Sequence, residues 1–197
     1  MEIAQILRRL ERSTAFYPAA AVAAAIEQRE AITPELLRVL EYTLERAEQL
    51  RGDFEFVGHY SAMLLLAQFR EAAALPLIVR LAGLPEETLE DLAGEFFAEE
   101  LGAILASVCA GDLGPIQGLI EDPAADVWCR GSALDSLAIL VCAGEKTREE
   151  VLDYASSLFH GKLEREPSYV WDALASLCCD LRGDELTGRS RRHSKKG

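Results

Sequence analysis

Residues 96–109 read Phe-Phe-Ala-Glu-Glu-Leu-Gly-Ala-Ile-Leu-Ala-Ser-Val-Cys. The large apolar residues fall at positions 97, 101, 104, 105 and 108. Because this spacing of three and four repeats once per helical turn, it places them on one face of an α-helix. The stretch therefore predicts an amphipathic helix with one buried seam.

The same apolar template recurs elsewhere in the chain. Its four copies are Phe56, Tyr60, Met63, Leu64 and Ala67; Phe97, Leu101, Ile104, Leu105 and Val108; Leu134, Leu137, Ala138 and Val141; and Val170, Leu174, Leu177, Cys178 and Leu181. Arg130 occupies the first template position of the third copy. Neighbouring copies are separated by 41, 33 and 40 residues, close to the roughly 40-residue period of HEAT-like helical pairs. A second helix, marked by Pro76, Pro115 or Thr147, follows each of the first three copies.

Strand-like alternation is nearly absent, so the protein is expected to be all-helical. Caps, prolines and glycines predict helices near 2–12, 18–29, 34–50, 55–69, 73–83, 86–93, 96–109, 114–121, 125–142, 148–161 and 168–181. Since a lone helical pair cannot bury its seam, the pairs are expected to stack. We predict an α-α superhelix, a HEAT-like α-solenoid of three to four degenerate repeats, with residues 1–50 as an N-terminal helical cap.

Charge divides the 197-residue chain, whose net charge is −13, into two parts. Residues 1–181 hold 31 acidic and 14 basic side chains, whereas residues 182–197 hold two acidic and six basic. We predict one helical-repeat domain, residues 1–182, and a basic, disordered tail, residues 183–197. An acidic body repels phosphate, so nucleic-acid binding is expected only through the tail. Neither a membrane span nor a signal peptide is indicated, which predicts a cytoplasmic protein.

Metal, cofactor and nucleophile signatures are missing. The five cysteines include no C-x-x-C pair, and the three histidines are scattered, so we expect no metal site and no cofactor. The cysteines are predicted to be reduced, small buried hydrophobes. No phosphate-binding loop or activated nucleophile is indicated either. Catalytic residues are therefore not predicted.

Polar and aromatic residues interrupt the template helices and form the candidate partner-binding set. This set is His59, Glu99, Trp128, Arg130, Asp135, Trp171 and Asp172. Trp and Arg are the side chains that most often anchor binding energy. Arg130 is predicted to form an ion pair with a carboxylate, either Glu99 or Asp172. The alternative to partner binding at these residues is a salt bridge between repeats. His59 is predicted to be either a hydrogen-bonded structural residue or a ligand or general base.

Several ordered segments resemble a known bacterial family. They are Pro18–Leu40, His59–Pro76 with its Leu-Leu-Ala-Gln-Phe-Arg-Glu core, Leu101–Asp112 and Arg130–Val141. They resemble domain of unknown function 1186, over about residues 14–182. The resemblance implies a HEAT-like helical array and carries over no catalytic residue. Many similar proteins end in a SEC-C zinc motif, which the cysteine-free tail here cannot form.

Two function classes are compatible with these patterns. The first is a non-enzymatic scaffold or adaptor whose acidic helical-repeat surface binds a protein or peptide partner. The negative charge of this surface favours a basic partner. The alternative is an enzyme, or a cofactor lyase or chaperone, that uses a groove near His59, Arg130 and Trp171. The sequence does not predict the oligomeric state.

Overall fold

The structure, a computed structural model, describes residues 1–12 and 16–193, with the backbone alone for residues 183–193. The described residues are all-helical, and their one extended feature is an isolated bridge between Arg12 and Phe56. The α-helices are α1 Ile3–Leu10, α2 Ala19–Glu27, α3 Arg29–Glu45, α4 Ala47–Leu50, α5 Gly58–Phe69, α6 Leu75–Ala82, α7 Glu86–Ala93, α8 Phe96–Val108, α9 Gly114–Glu121, α10 Val127–Cys142, α11 Arg148–Ser157 and α12 Tyr169–His193. A 3-10 turn, Ala72–Ala74, precedes α6, and a wide π-type turn, Leu158–Lys162, follows α11.

The four template helices pack in chain order, α5 against α8, α8 against α10 and α10 against α12. Ser132, near the start of α10, donates to the carbonyl oxygens of Phe97 and Ala98 at the start of α8. Gly131 lies against Tyr169 at the start of α12. Because the beginnings of these helices meet, α8, α10 and α12 run in the same direction. The second helices, α6 and α9, pack against each other beside this row.

Template residues form much of the core. All five apolar positions of α8 are buried, and so is Arg130, as its template position predicts. The first copy departs from the pattern, since Leu64 is 46% exposed while Leu65 and Leu66 are buried. The buried face of α5 instead runs through His59, Ala62, Met63, Leu66 and Phe69, so it is displaced from the template by about one residue, and α5 packs against α1 and α3 as well as α8.

Two boundaries of the helix predicted near 34–50 differ in the structure. The helix α3 begins at Arg29, five residues before the predicted start, and contains Pro34. The early turn is held because Ile32 is fully buried and the Thr33 hydroxyl donates to the Arg29 carbonyl. The helix predicted to reach residue 50 is broken at Arg46. The capping box predicted at Thr147 is present.

The predicted disordered tail, residues 183–197, lies largely outside the described residues. The backbone of α12 continues to His193, past the end predicted at residue 181. The side chains of residues 183–193 and the whole of residues 194–197 lie outside the described part. The division into a domain and a tail therefore stays a prediction.

The five cysteines are free thiols, but they do not share one environment. Cys109 and Cys129 are buried, whereas Cys142 and Cys179 are exposed, so the expectation of buried cysteines is wrong for the latter two. Cys142 is exposed at the last residue of α10. Cys179 is exposed while its neighbour Cys178 is half-buried, because successive residues point about 100° apart on a helix. Burial raises the pKa of the Cys129 thiol, which keeps it protonated.

Candidate functional site

Arg130 is the largest fully buried side chain, with 1% of its surface exposed. Its Nη1 and Nη2 donate to the two carboxylate oxygens of Glu164, each at 2.7 Å. Its Nε donates to the Ile120 carbonyl oxygen at 3.0 Å, near the end of α9. The guanidinium group is thus committed to an internal ion pair and a helix cap, and it presents nothing to a partner.

The predicted partners of Arg130, Glu99 and Asp172, are wrong. Glu164 lies in the loop before α12, and this loop is held by Trp171, whose Nε1 donates to the Glu164 carbonyl oxygen at 3.1 Å. The Ser168 hydroxyl donates to the same carboxylate at 3.3 Å. The Arg130 guanidinium holds the pKa of Glu164 at about 2. Sequence periodicity could not find Glu164, because loops carry no repeating pattern.

His59 is a hydrogen-bonded structural residue, 2% exposed. Its Nε2 donates to the Leu92 carbonyl oxygen at 2.9 Å, and the Tyr60 hydroxyl donates to the same oxygen at 2.8 Å. This carbonyl belongs to the last turn of α7, where no helical partner exists. The His59 Nδ1 has no hydrogen-bond partner among the described residues. Burial lowers the pKa of His59 to about 4, because a proton on Nδ1 would be left unpaired.

The buried imidazole makes stability depend on pH. Since the pKa of His59 is about 4 in the fold, against an ordinary value of 6.5, the unfolded chain takes up the proton first as pH falls. We expect the free energy of unfolding to drop by about 2 kcal/mol between about pH 7.5 and about pH 5. Urea unfolding across this range measures the loss. His59→Gln should flatten the dependence, and His160→Gln, on the surface, should not; an equal slope in all three proteins would contradict the assignment.

A surface groove of about 520 Å³ lies where α7, the start of α8 and the start of α10 meet. We call it the Trp128 groove, and it is lined by Glu86, Leu89, Glu90, Gly94, Glu95, Phe97, Ala98, Glu99, Asp126 and Trp128. Its volume falls within the range of about 300 to 1,000 Å³ that is usual for ligand sites. The groove combines an apolar floor with five carboxylates.

Trp128 is held in place at the edge of this groove. The Asp126 carboxylate accepts from the backbone nitrogens of Trp128 and Cys129, at 3.0 and 2.9 Å, and so fixes the first turn of α10. The indole packs on the ring of Tyr169, with 4.2 Å between ring centroids. Even so, 51% of Trp128 is exposed. One aromatic surface is therefore supported from behind and open to a ligand.

The glutamates of the groove are without ion pairs in the part of the chain whose side chains the structure describes. Within the described residues, Glu86, Glu90, Glu95 and Glu99 form no ion pair. Residues 81–145 hold 13 acidic side chains and a single basic one, the buried Arg130. Cations from outside this range pair with Glu87 and Asp91, through Arg51, with Glu121, through Lys162, and with Glu145, through Arg70. The negative charge left without an ion pair among the described residues therefore includes the four glutamates of the groove.

The candidate residues predicted from sequence do not form one site. Glu99 and Trp128 meet in the Trp128 groove, while His59 and Arg130 are internal and Trp171 is half-buried against Glu164 and Phe159. Asp135 and Asp172 are exposed on α10 and α12. Although Asp135 is exposed overall, the neighbouring protein removes part of the water around its carboxylate, which raises its pKa, and the nearby Asp180 raises the pKa further.

His59, Arg130 and Trp171 do not line the Trp128 groove, and His59 and Arg130 are buried, so the alternative function in a groove joining them stays a prediction. The Trp128 groove and two smaller ones, beside α1 and α5 and beside α1 and α3, are all lined by other residues. Sequence reasoning missed Glu86, Glu90, Glu95 and Asp126 as groove residues. The sequence signal that could have found them is the stretch of residues 81–129, which holds many acidic residues and neither Lys nor Arg.

No metal or membrane feature accompanies the groove. Among the described residues there is no group of three or more His, Cys, Asp or Glu side chains placed to hold a metal ion. The same part of the chain contains no helix that is both long enough and apolar enough to cross a bilayer.

Together these features define an all-helical protein with an acidic, tryptophan-edged surface groove. The family profile described as Protein of unknown function (DUF1186) matches residues 1–196, and the chain belongs to this family. Uncharacterized proteins of Chlamydia trachomatis serovar D (strain ATCC VR-885 / DSM 19411 / UW-3/Cx) and Chlamydia muridarum (strain MoPn / Nigg) are each 39% identical over 186 residues, covering 94% of this chain and 74% of the relative. No solved structure matches the chain.

Proposed function

We propose that the protein is a non-enzymatic interaction module that binds a basic segment of a partner protein in the Trp128 groove. The observation that carries this proposal is the half-exposed Trp128 indole beside four carboxylates that form no ion pair with any side chain the structure describes. An Arg or Lys side chain supplies what this surface lacks, a positive head and an apolar stem.

The chemistry of the groove favours a cation in three ways. A guanidinium or ammonium group over the open face of Trp128 gains about 0.5 to 2 kcal/mol from the ring quadrupole. Glu95 and Glu99 offer charge-assisted acceptors within the same groove. The aliphatic stem packs along apolar groove surface such as Leu89. A negative field over the surrounding surface raises the rate of encounter with a basic partner.

The scaffold for this groove is, in our proposal, the HEAT-like superhelix. Its support is the parallel order of α8, α10 and α12 and the packing of α6 against α9. Stacked helical pairs present an extended surface to a peptide. We also propose a cytoplasmic location, which the free thiols favour.

Peptide binding tests the proposed function. The probe is a fluorescein-labelled peptide of alternating Arg, Lys and Gly residues, titrated with the full chain and read by anisotropy. We expect Trp128→Ala and the double variant Glu95→Gln/Glu99→Gln each to weaken binding by about tenfold. Weaker binding at high salt is expected for the wild type, since the contacts are largely electrostatic.

The matched control is Glu41→Gln/Glu45→Gln, which removes the same charge from exposed positions on α3. This control should bind the peptide within about twofold of the wild type. If the control weakens binding as much as the groove variant, the peptide senses only net charge and the proposed site is wrong. Acetylation of the peptide lysines, which removes their charge, should abolish their contribution.

A further inference from the structure

The chain contains a segment whose chemistry complements the Trp128 groove. Five basic residues, Arg189, Arg191, Arg192, Lys195 and Lys196, fall within eight positions near its end. Residues 81–145, which include every residue lining the groove, carry 13 acidic side chains and only the buried Arg130. Opposite charges are thus concentrated in two separate parts of one sequence.

We infer that the Trp128 groove of one copy of the protein receives the basic segment, residues 189–196, of a second copy. This inference rests on the proposed function and names the partner of the same site. The arginines supply cations for the indole and for Glu95 and Glu99.

Geometry assigns the segment to a second copy. The helix α12 starts at Tyr169, which packs on Trp128 at 4.2 Å, and its backbone runs on to His193. A helix of this length rises about 36 Å, so it carries residues 189–193 away from the groove of its own copy. Residues 194–196 add a reach of at most about 11 Å, which is too short to bring the segment back to that groove. The same separation leaves the segment free to reach another molecule.

The resulting contact is head-to-tail. Each copy offers one groove and one basic segment, so a filled groove leaves the second molecule with a groove of its own to fill. Two copies that exchange segments reciprocally form a closed two-fold dimer, and copies that do not exchange reciprocally build rings or open chains. The weight-average mass is therefore expected to rise with protein concentration from 21.6 kDa to that of the dimer or beyond.

Sedimentation equilibrium tests the inference on the full chain. The groove variant Glu95→Gln/Glu99→Gln and the segment variant Arg189→Gln/Arg191→Gln/Arg192→Gln should each raise the dissociation constant of self-association by about tenfold or more, and so stay monomeric at concentrations at which the wild type associates. The control Arg8→Gln/Arg9→Gln/Arg80→Gln, which removes as many exposed cations from α1 and α6, should associate like the wild type. High salt should raise the dissociation constant for self-association of the wild type by about tenfold or more.

Mixing the two monomeric variants gives the sharpest outcome. One retains the groove and the other retains the basic segment, so a single complementary pair is left. We expect a one-to-one complex of twice the 21.6 kDa chain mass, without larger species. No complex in the mixture, or association of the groove variant alone, would overturn the inference.

The peptide assay separates this inference from the proposed function. If the full chain is monomeric while the segment variant still binds the labelled peptide in the Trp128 groove, the self-association is wrong and the proposed function stands. If the segment variant binds the peptide more tightly than the wild type at all protein concentrations, the segment occupies its own groove and the second-copy assignment is wrong. If neither peptide nor self-association is detected, both fail.

Discussion

Replacing Arg130 with methionine is expected to destabilise the fold by about 3 to 5 kcal/mol. The substitution removes both hydrogen bonds to the Glu164 carboxylate and the bond that caps the Ile120 carbonyl. Glu164, 20% exposed on its side chain, is left with a charge that the surrounding protein does not balance. Urea unfolding followed by circular dichroism measures the loss at neutral pH.

A double-mutant cycle isolates the ion pair from the packing of the side chain. Glu164→Gln leaves a buried guanidinium without its counter-charge and should cost a similar amount. The double variant Arg130→Met/Glu164→Gln should be more stable than the sum of the single losses by about 1 to 3 kcal/mol, because no unpaired charge then remains. Strict additivity would show that the two groups do not interact.

The half-exposed Arg12 provides the surface comparison. Its Nη1 lies 3.2 Å from the Asp53 carboxylate, but both groups contact solvent. Arg12→Met should cost less than about 1 kcal/mol. A loss as small as this for Arg130→Met would refute the central structural role given to Arg130.

The substitution Gly102→Ala is expected to destabilise the protein by about 1 to 3 kcal/mol, despite the higher helix propensity of alanine. A Cβ at position 102 would lie 2.8 Å from the Ser132 backbone carbonyl oxygen and 3.4 Å from the Asp135 Cβ. The obstacle is backbone, so α8 and α10 must separate. Thermal unfolding should show a Tm lower by about 3 to 8 °C.

Gly118→Ala is the matched control, with the same substitution in the helix α9. A Cβ there meets no atom within 4 Å. The control should therefore gain about 0.5 to 1 kcal/mol from reduced backbone entropy and helix propensity. If Gly102→Ala destabilises the protein while Gly118→Ala stabilises it, the close approach of α10 to α8 causes the loss at position 102, and not a general effect of replacing glycine in a helix. A stabilising Gly102→Ala would contradict the observed α8–α10 contact.

The prediction of the core from sequence followed local rules that act over one or two helical turns. The apolar seam of α8 and the Thr147 capping box were readable because each involves residues three or four apart. Burial of Arg130 was also readable, from its place in the repeated template. The exposed Leu64 was not, because its environment depends on how α1, α3 and α8 together surround α5.

The candidate site was only partly predictable for the same reason. Trp128 and Glu99 were selected from sequence as polar or aromatic interruptions, and the structure brings them to one groove. His59 and Arg130 were selected on the same criterion but face inward. A side chain's type indicates what it can bind, whereas the direction it faces depends on neighbouring helices.

The sequence by itself determined the helical class, most of the buried seam and the acidic balance of the body, since helix periodicity and net charge are properties of consecutive residues. Only the tertiary structure showed that Glu164 forms the ion pair with Arg130 and that α10 packs closely against Gly102. It also showed that residues 86–99 and 126–128 line one groove. These contacts join distant parts of the chain. Their selection depends on which helices pack together and how closely, and that is settled by the whole core at once.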